Sequence, residues 1–188
     1  VEDLYKKYID KKPIEEMVNR DDFRIIRTFH KIDGQEDPFL EKMIDHLAEL
    51  RAYAGDRSVL RALHFFEENK RVEAEVRALK ENRFGDFLDG ITSSGNSSWK
   101  WLQNCYTNSN VQEQGISIAL ALTEMFIAEK KRGACRIHGG GFAGVIMAML
   151  PNDLVDEYVA YIEKAMGEGS AYRMSIRPYG AICVNQML

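Results

Sequence analysis

The sequence lacks long apolar runs and has few cysteines. No stretch of eighteen consecutive apolar residues occurs, and no basic region followed by an apolar one stands near Val1, so neither a membrane span nor a signal peptide is expected. The three cysteines, Cys105, Cys135 and Cys183, are widely spaced in apolar surroundings. An odd number of such thiols indicates reduced core residues rather than disulfides or a zinc cluster. These absences predict a soluble, cytoplasmic protein without a membrane partner.

Blocks of one charge are also missing. The chain has 25 Lys and Arg residues against 29 Asp and Glu, a formal net charge of −4, and the two signs are interspersed. Proteins that bind nucleic acid usually display a basic patch, so no nucleic-acid partner is expected and a small-molecule ligand is favoured. The length of 188 residues suits one domain, with or without an appendage.

Apolar residues recur at helical spacing through most of the chain up to Lys131. Residues 1–35 are charged and are predicted to form a peripheral arm or linker, and residues 36–188 to form the domain. An Asp-Pro pair begins the first helix and Gly55 ends it, while Asp56 begins the second. The helices that this spacing predicts cover residues 38–54, 56–81, 84–91, 99–106 and 111–131.

After Gly133 the apolar pattern changes from helical to extended. Strands are predicted over residues 134–138 and 145–150, the second fully buried, followed by a helix from about Asn152 that is closed by Gly167. Two short strands are predicted over residues 172–176 and 181–184. The order α-β-β-α-β-β favours an α+β fold, an antiparallel sheet with helices packed on one face, to which the first helices add an N-terminal extension.

The segment from Arg136 to Gly144 contains four glycines in nine residues. Glycine gives no side chain to the core, so such a cluster suits a sharp turn or a close approach of the backbone to another group. The spacing also fits the G-x-G-x-x-G pattern of dinucleotide folds, but a predicted strand follows instead of a helix, so that interpretation is rejected. A hairpin turn and an anion-binding nest of backbone N–H groups, aided by Arg136 and His138, both remain open.

Two polar segments match known sites only in part. His64 and Glu68 lie four residues apart on a predicted helix, but the zinc-protease pattern needs a second histidine. A partly buried histidine beside a carboxylate is therefore favoured. The serine-rich run 93–98 has no accompanying histidine and acid at a hydrolase spacing, so it is predicted to be a loop and helix cap. No catalytic residue and no metal ligand is predicted in this chain.

Four segments together resemble galactokinases, members of the GHMP family of small-molecule kinases that also includes homoserine, mevalonate and phosphomevalonate kinases. The segment Arg136–Gly144 resembles the third motif of that family. Segments 61–71, 93–99 and 177–181 resemble galactokinases in order and spacing. The family usually has threonine or serine where His138 stands, and glycine where Ala143 stands. Its first motif, Gly-Glu-His-x-Asp, and its Ser-rich phosphate loop are absent from this sequence.

The resemblance implies a galactokinase C-terminal domain with a ferredoxin-like fold, and the start at Val1 agrees with a piece of a longer protein. The intact enzymes transfer the γ-phosphoryl group of ATP to the anomeric hydroxyl of galactose, with magnesium. The glycine loop is expected to pack against the phosphate loop of the missing N-terminal domain, which carries the catalytic aspartate and arginine. The implied nucleotide and substrate loop comprises Arg136, His138, Gly139, Gly140, Gly141, Phe142 and Gly144.

Without that N-terminal domain, the chain is expected to be inactive and to bind neither ATP nor magnesium tightly. The face around Phe142 would then be exposed, which favours self-association. Two alternatives stay open: a non-enzymatic ligand-binding or sensor module of the same fold, and a 1-kinase for another hexose.

Overall fold

The computed structural model describes residues 43–142 and 144–176, and the chain divides into two units between Gly55 and Asp56. The described part of the first unit contains helix α1, Leu47–Ala54, which ends as predicted at Gly55, where φ is +79°. The predicted arm 1–35, the start of the first helix and the strand over 181–184 lie outside the described residues.

The second unit contains most of the helices predicted from the sequence. Their bounds are α2 Asp56–Lys80, α3 Phe84–Ser97, a π-helical turn Ser98–Leu102, α4 Gly115–Lys130, a 3-10 turn Asn152–Leu154 and α5 Val155–Met166. Helices α2, α4 and α5 lie within about one turn of the predicted ranges. In the part of the chain that the structure describes, no helix is long and apolar enough to cross a membrane. The cytoplasmic location stays a prediction.

The serine-rich run is helical, so its prediction as a loop was wrong. Helix α3 continues past Ile91 to Ser97, and the π-helical turn replaces the short helix predicted from Trp99. Ser94, Ser97 and Ser98 are buried. Small hydroxyl side chains fit where α3 packs closely on its neighbours, and that packing overrides their weak helix propensity.

Strands β1, Ala134–His138, and β2, Val145–Met149, pair antiparallel, with Ala134 opposite Met149 and His138 opposite Val145. Both strands are confirmed, but β2 is not fully buried: Val145 is 65% exposed and the other four residues are partly exposed. The strand predicted over 172–176 does not form, since residues 171–176 are neither helix nor strand. Their alternate apolar side chains are exposed, and a strand requires a hydrogen-bonding partner.

Helices contact both faces of this sheet, so the prediction that they cover one face was wrong. On one face, Ala134 packs with Phe87 and Ile91 of α3 and with Met147 and Met149 of β2. On the opposite face, the sheet packs against α4 in a second apolar cluster. The members of this cluster are Cys105, Leu120, Cys135, Ile137, Ile146 and Ala148. Neighbouring residues on a strand point to opposite faces. Because both faces of β1 and β2 carry small or apolar residues, both can be covered.

Candidate functional site

The glycine segment forms the loop of the β1–β2 hairpin, which confirms the turn predicted from the sequence. Pairing ends at His138 and Val145, so residues 139–144 connect the strands. The backbone is left-handed at Gly139, Gly141 and Phe142, where φ is +71°, +82° and +60°. Glycine adopts this conformation without the steric cost that a Cβ imposes. Phe142 adopts it despite its side chain.

The loop rests on Asn104, which belongs to the same chain. The backbone N–H of Phe142 donates to the Asn104 carbonyl oxygen at 2.6 Å, and the Asn104 side-chain amide donates to the Gly140 carbonyl at 3.4 Å. A Cβ on Gly141 would overlap the Asn104 backbone and come within 2.8 Å of its Cβ. The close approach of Asn104 is therefore enough to explain why residue 141 is glycine. Contact with a glycine-rich phosphate loop of another domain is not needed to explain it.

Gly139 and Gly140 differ from Gly141 because a Cβ on either would meet nothing within 4 Å. Both residues are exposed, as is the neighbouring His138. The edge of the loop that they form is open to another molecule or to another part of a longer protein.

Arginines of α2 hold the segment that carries Asn104. Arg61 donates to the Leu102 carbonyl at 3.2 Å, and Arg57 donates to the Gln103 carbonyl at 3.1 Å. Gln103 is left-handed, with φ +56°, and its N–H closes the π-helical turn onto the Ser98 carbonyl at 2.7 Å. Turns of this kind occur often at functional sites. The turn and the two arginines together fix where Asn104 lies.

Behind the loop, Glu68 is the centre of a partly buried polar network. Its carboxylate accepts from Arg71 and Ser94, and it accepts from Nη1 of Arg136 at 3.1 Å. Arg136 also donates from Nε to the Ile137 carbonyl at 3.1 Å. Nearby, Nδ1 of His64 lies 2.9 Å from the Ser97 hydroxyl. The network joins three of the four segments that resemble galactokinases.

The network sets the charge of its members. Burial alone would raise the pKa of Glu68. The hydrogen bond from the Ser94 hydroxyl and the charges of Arg71 and Arg136 together outweigh that effect, so the pKa of Glu68 lies below its ordinary value. Burial lowers the pKa of His64. At neutral pH, Glu68 is therefore ionised and His64 is neutral. The histidine is buried, but its hydrogen-bond partner is the Ser97 hydroxyl while the Glu68 carboxylate binds Arg71, Ser94 and Arg136, so the predicted pairing of His64 with Glu68 was wrong.

Residues of the predicted loop differ in burial. Arg136 is partly buried and paired with Glu68, whereas His138 and Phe142 are exposed, Phe142 to 48%. Within the described ranges, no group of three acidic, histidine or cysteine side chains could hold a metal ion. Burial raises the pKa of Cys105 to about 11 and that of Cys135 to about 12, so both thiols are protonated at neutral pH.

Sequence reasoning missed Asn104 and Arg57, and it gave Arg61 no role beyond its place in the segment 61–71. Asn104 stands in the run Gln103-Asn104-Cys105, which fits no functional pattern. Its contact with Gly140 spans 36 residues of sequence, so only the folded chain reveals it. The arginines lie on a long charged helix whose composition gives no sign of which side chains bind carbonyl oxygens.

The chain is similar to curated galactokinases. It is 26% identical over 167 residues to galactokinase from Actinobacillus pleuropneumoniae, an alignment that covers 87% of this chain and 39% of that protein. It is 30% identical over 128 residues to galactokinase from Haemophilus influenzae strain PittGG, which covers 68% of this chain and 31% of that protein. No family model matches the chain, and no solved structure matches it. The chain thus spans between about a third and two fifths of the length of these relatives.

Proposed function

We propose that this chain, a relative of the galactokinases, forms the C-terminal domain of a galactokinase-type sugar 1-kinase. The observation that carries this proposal is the unequal coverage: a galactokinase aligns with 87% of this chain, but the chain accounts for 39% of that protein. The absence of the family's first motif and Ser-rich phosphate loop agrees with an N-terminal domain elsewhere in the parent protein.

In the parent enzyme, the glycine loop closes the nucleotide and sugar cleft. Its open edge at Gly139 and Gly140 supports this role, because a phosphate group can approach backbone N–H groups closely where no side chain intervenes. His138 stands exposed at the start of this edge and can donate a hydrogen bond. Arg136 supports the loop from behind through Glu68 rather than facing a ligand.

The proposed reaction transfers the γ-phosphoryl group of ATP to the anomeric hydroxyl oxygen of galactose. The bond from the γ-phosphorus to the bridging oxygen breaks, ADP leaves, and the hydroxyl proton goes to a base that we place in the N-terminal region of the parent protein. Magnesium neutralises phosphate charge in such reactions. The described residues offer no set of ligands for it, so this chain contributes the shape and backbone donors of the cleft.

The partner of this chain is the N-terminal region of the parent protein. Phe142 and Val145 lie at the loop and at the adjoining end of β2, and they are 48% and 65% exposed. Apolar side chains in such positions suit an interface that is covered in the parent protein.

The test compares the isolated chain with the full reading frame that contains it. With ATP and galactose, we expect the full product to form galactose 1-phosphate and the isolated chain to form none, because phosphoryl transfer needs groups positioned on both sides of the cleft. Robust turnover by the isolated 188 residues would contradict the proposal, as would a full product that phosphorylates no hexose.

Two further measurements separate the alternatives. Calorimetric titration of the isolated chain with ATP and with galactose should give little or no heat of binding, whereas a stand-alone sensor would bind one of them. A panel of hexoses that includes N-acetylgalactosamine, tested on the full product, identifies the sugar by the ratio of kcat/KM values.

A further inference from the structure

We infer that Asn104 is the positioning residue of the glycine loop, and that it sets the loop for the nucleotide phosphates. This inference rests on the proposed function for its nucleotide part. The docking of the loop on Asn104 stands on the contacts alone.

Two hydrogen bonds and one steric limit join Asn104 to three consecutive loop residues. Its carbonyl oxygen accepts from the Phe142 N–H at 2.6 Å, its side-chain amide donates to the Gly140 carbonyl at 3.4 Å, and its Cβ lies 2.8 Å from where a Cβ on Gly141 would be. The loop is held through the N–H of Phe142 and the carbonyl of Gly140, and Gly141 has no room for a side chain. It therefore has little freedom to move. The position of Asn104 therefore determines the position of the loop.

Asn104 is itself held firmly. It is 4% exposed, it follows the left-handed Gln103, and the two preceding carbonyl groups are bound by Arg57 and Arg61 of α2. Helix α2 is thereby connected to the loop through its two arginine side chains and the backbone of residues 102–104. Preorganisation of this kind reduces the cost of ordering a binding loop.

The docked conformation leaves the other edge of the loop free. A Cβ on Gly139 or Gly140 would enter open space, whereas one on Gly141 would strike Asn104. The loop thus has one side against Asn104 and another side that can meet phosphate oxygens. If the loop left Asn104, that second side would no longer have a fixed direction.

The first experiment measures docking in the isolated chain by amide hydrogen exchange, observed by NMR. Gly141→Ala should speed exchange of the Phe142 amide by roughly tenfold, because its methyl group would strike Asn104 and push the loop away. Asn104→Ala keeps the backbone carbonyl that accepts from Phe142 and removes only the side-chain amide bonded to Gly140, so it should speed exchange by a smaller factor, roughly twofold. Gly140→Ala is the matched control for docking, because its added methyl group meets nothing within 4 Å. Exchange at the wild-type rate in both test variants would overturn the docking.

The second experiment measures steady-state kinetics of the same variants in the full reading frame. We expect Gly141→Ala to lower kcat/KM for ATP by about tenfold or more and Asn104→Ala, which loses only the side-chain bond to Gly140, to lower it by about threefold. The KM for galactose should stay within about twofold of wild type in both variants. Gly115→Ala, at the open start of α4, is the control and should match wild type.

The outcomes distinguish the two proposals. Faster exchange with unchanged ATP kinetics would leave the loop docked on Asn104 but overturn its positioning of the nucleotide. A wild-type full product without kinase activity would overturn the proposed function and the nucleotide part of this inference together, whereas the exchange result is independent of both.

Discussion

At the scale of single residues, Glu68 carries the polar network behind the loop. Replacing it by glutamine keeps its shape but leaves Arg71 and Arg136 without their carboxylate partner. Because the side chains of these three residues are 13–25% exposed, we expect Glu68→Gln to reduce the free energy of unfolding by about 2 kcal/mol. Urea denaturation at pH 7 measures this.

The matched control is Glu67→Gln on the same helix. Glu67 pairs with Lys70 at 3.1 Å, and the two side chains are 32% and 47% exposed. An exposed pair of this kind contributes little, so the control should lie within about 0.5 kcal/mol of wild type. Equal effects of the two substitutions would contradict a central role for Glu68.

The effect of Glu68→Gln should also depend on pH. The pKa of Glu68 in the folded chain lies below its ordinary value of 4.5, so the unfolded chain binds a proton first as the pH falls. The stabilisation by Glu68 is complete above the unfolded pKa and is lost as the pH falls through the folded one. Wild type and Glu68→Gln should therefore approach equal stability in acid. A difference that stays constant down to pH 3 would contradict this charge-based account.

At the scale of elements, Gly95 allows α3 to approach β1. A Cβ at this position would lie 3.0 Å from the Cys135 carbonyl oxygen and 3.3 Å from the Arg136 Cα. Because these are backbone atoms, Gly95→Ala should force the helix away and reduce the free energy of unfolding by about 1–3 kcal/mol. Chemical denaturation measures the change.

Gly85, in the first turn of the same helix, supplies the control. A Cβ there would meet nothing within 4 Å, so Gly85→Ala should stabilise the chain by a few tenths of a kcal/mol up to about 1, through helix propensity. If Gly95→Ala were as stabilising as Gly85→Ala, the close packing of α3 on β1 would be wrong.

The same packing explains what the sequence could and could not predict. Residues 134–138 and 145–149 were found because their apolar pattern is local, and Gly55 and Asp56 mark the boundary between two helices. The helical state of Ser94 and Ser97 was missed because it depends on β1, about forty residues later. The second covered face of the sheet was missed because short apolar strands do not indicate which elements pack on them.

The candidate site was predictable to the same degree. Four glycines in nine residues identify the loop, and the helical spacing of His64 and Glu68 identifies a partly buried polar site without its true pairings. Neither pattern shows that Arg136 turns towards Glu68 or that Asn104 supports Gly141. These contacts join residues 68 and 37 positions apart, and they form only when α2, the π-helical turn and the hairpin meet.

At the scale of the whole molecule, the exposed Phe142 should promote association of the isolated chain. It lies beside Gly139 and Gly140 on the loop that we assign to a domain interface, and it is 48% exposed. Asparagine tolerates the left-handed conformation found at this residue better than most side chains do. Phe142→Asn should therefore reduce self-association without loss of fold.

Light scattering over a hundredfold range of concentration, roughly from micromolar upwards, measures this effect. We expect the wild-type chain to show an apparent mass that rises with concentration, and Phe142→Asn to show a smaller rise, because apolar contacts between copies are weakened. Phe65→Gln removes another exposed aromatic, on α2, and should associate as the wild type does. A monomeric wild-type chain at every concentration, or equal effects of the two substitutions, would show that the loop surface does not drive association.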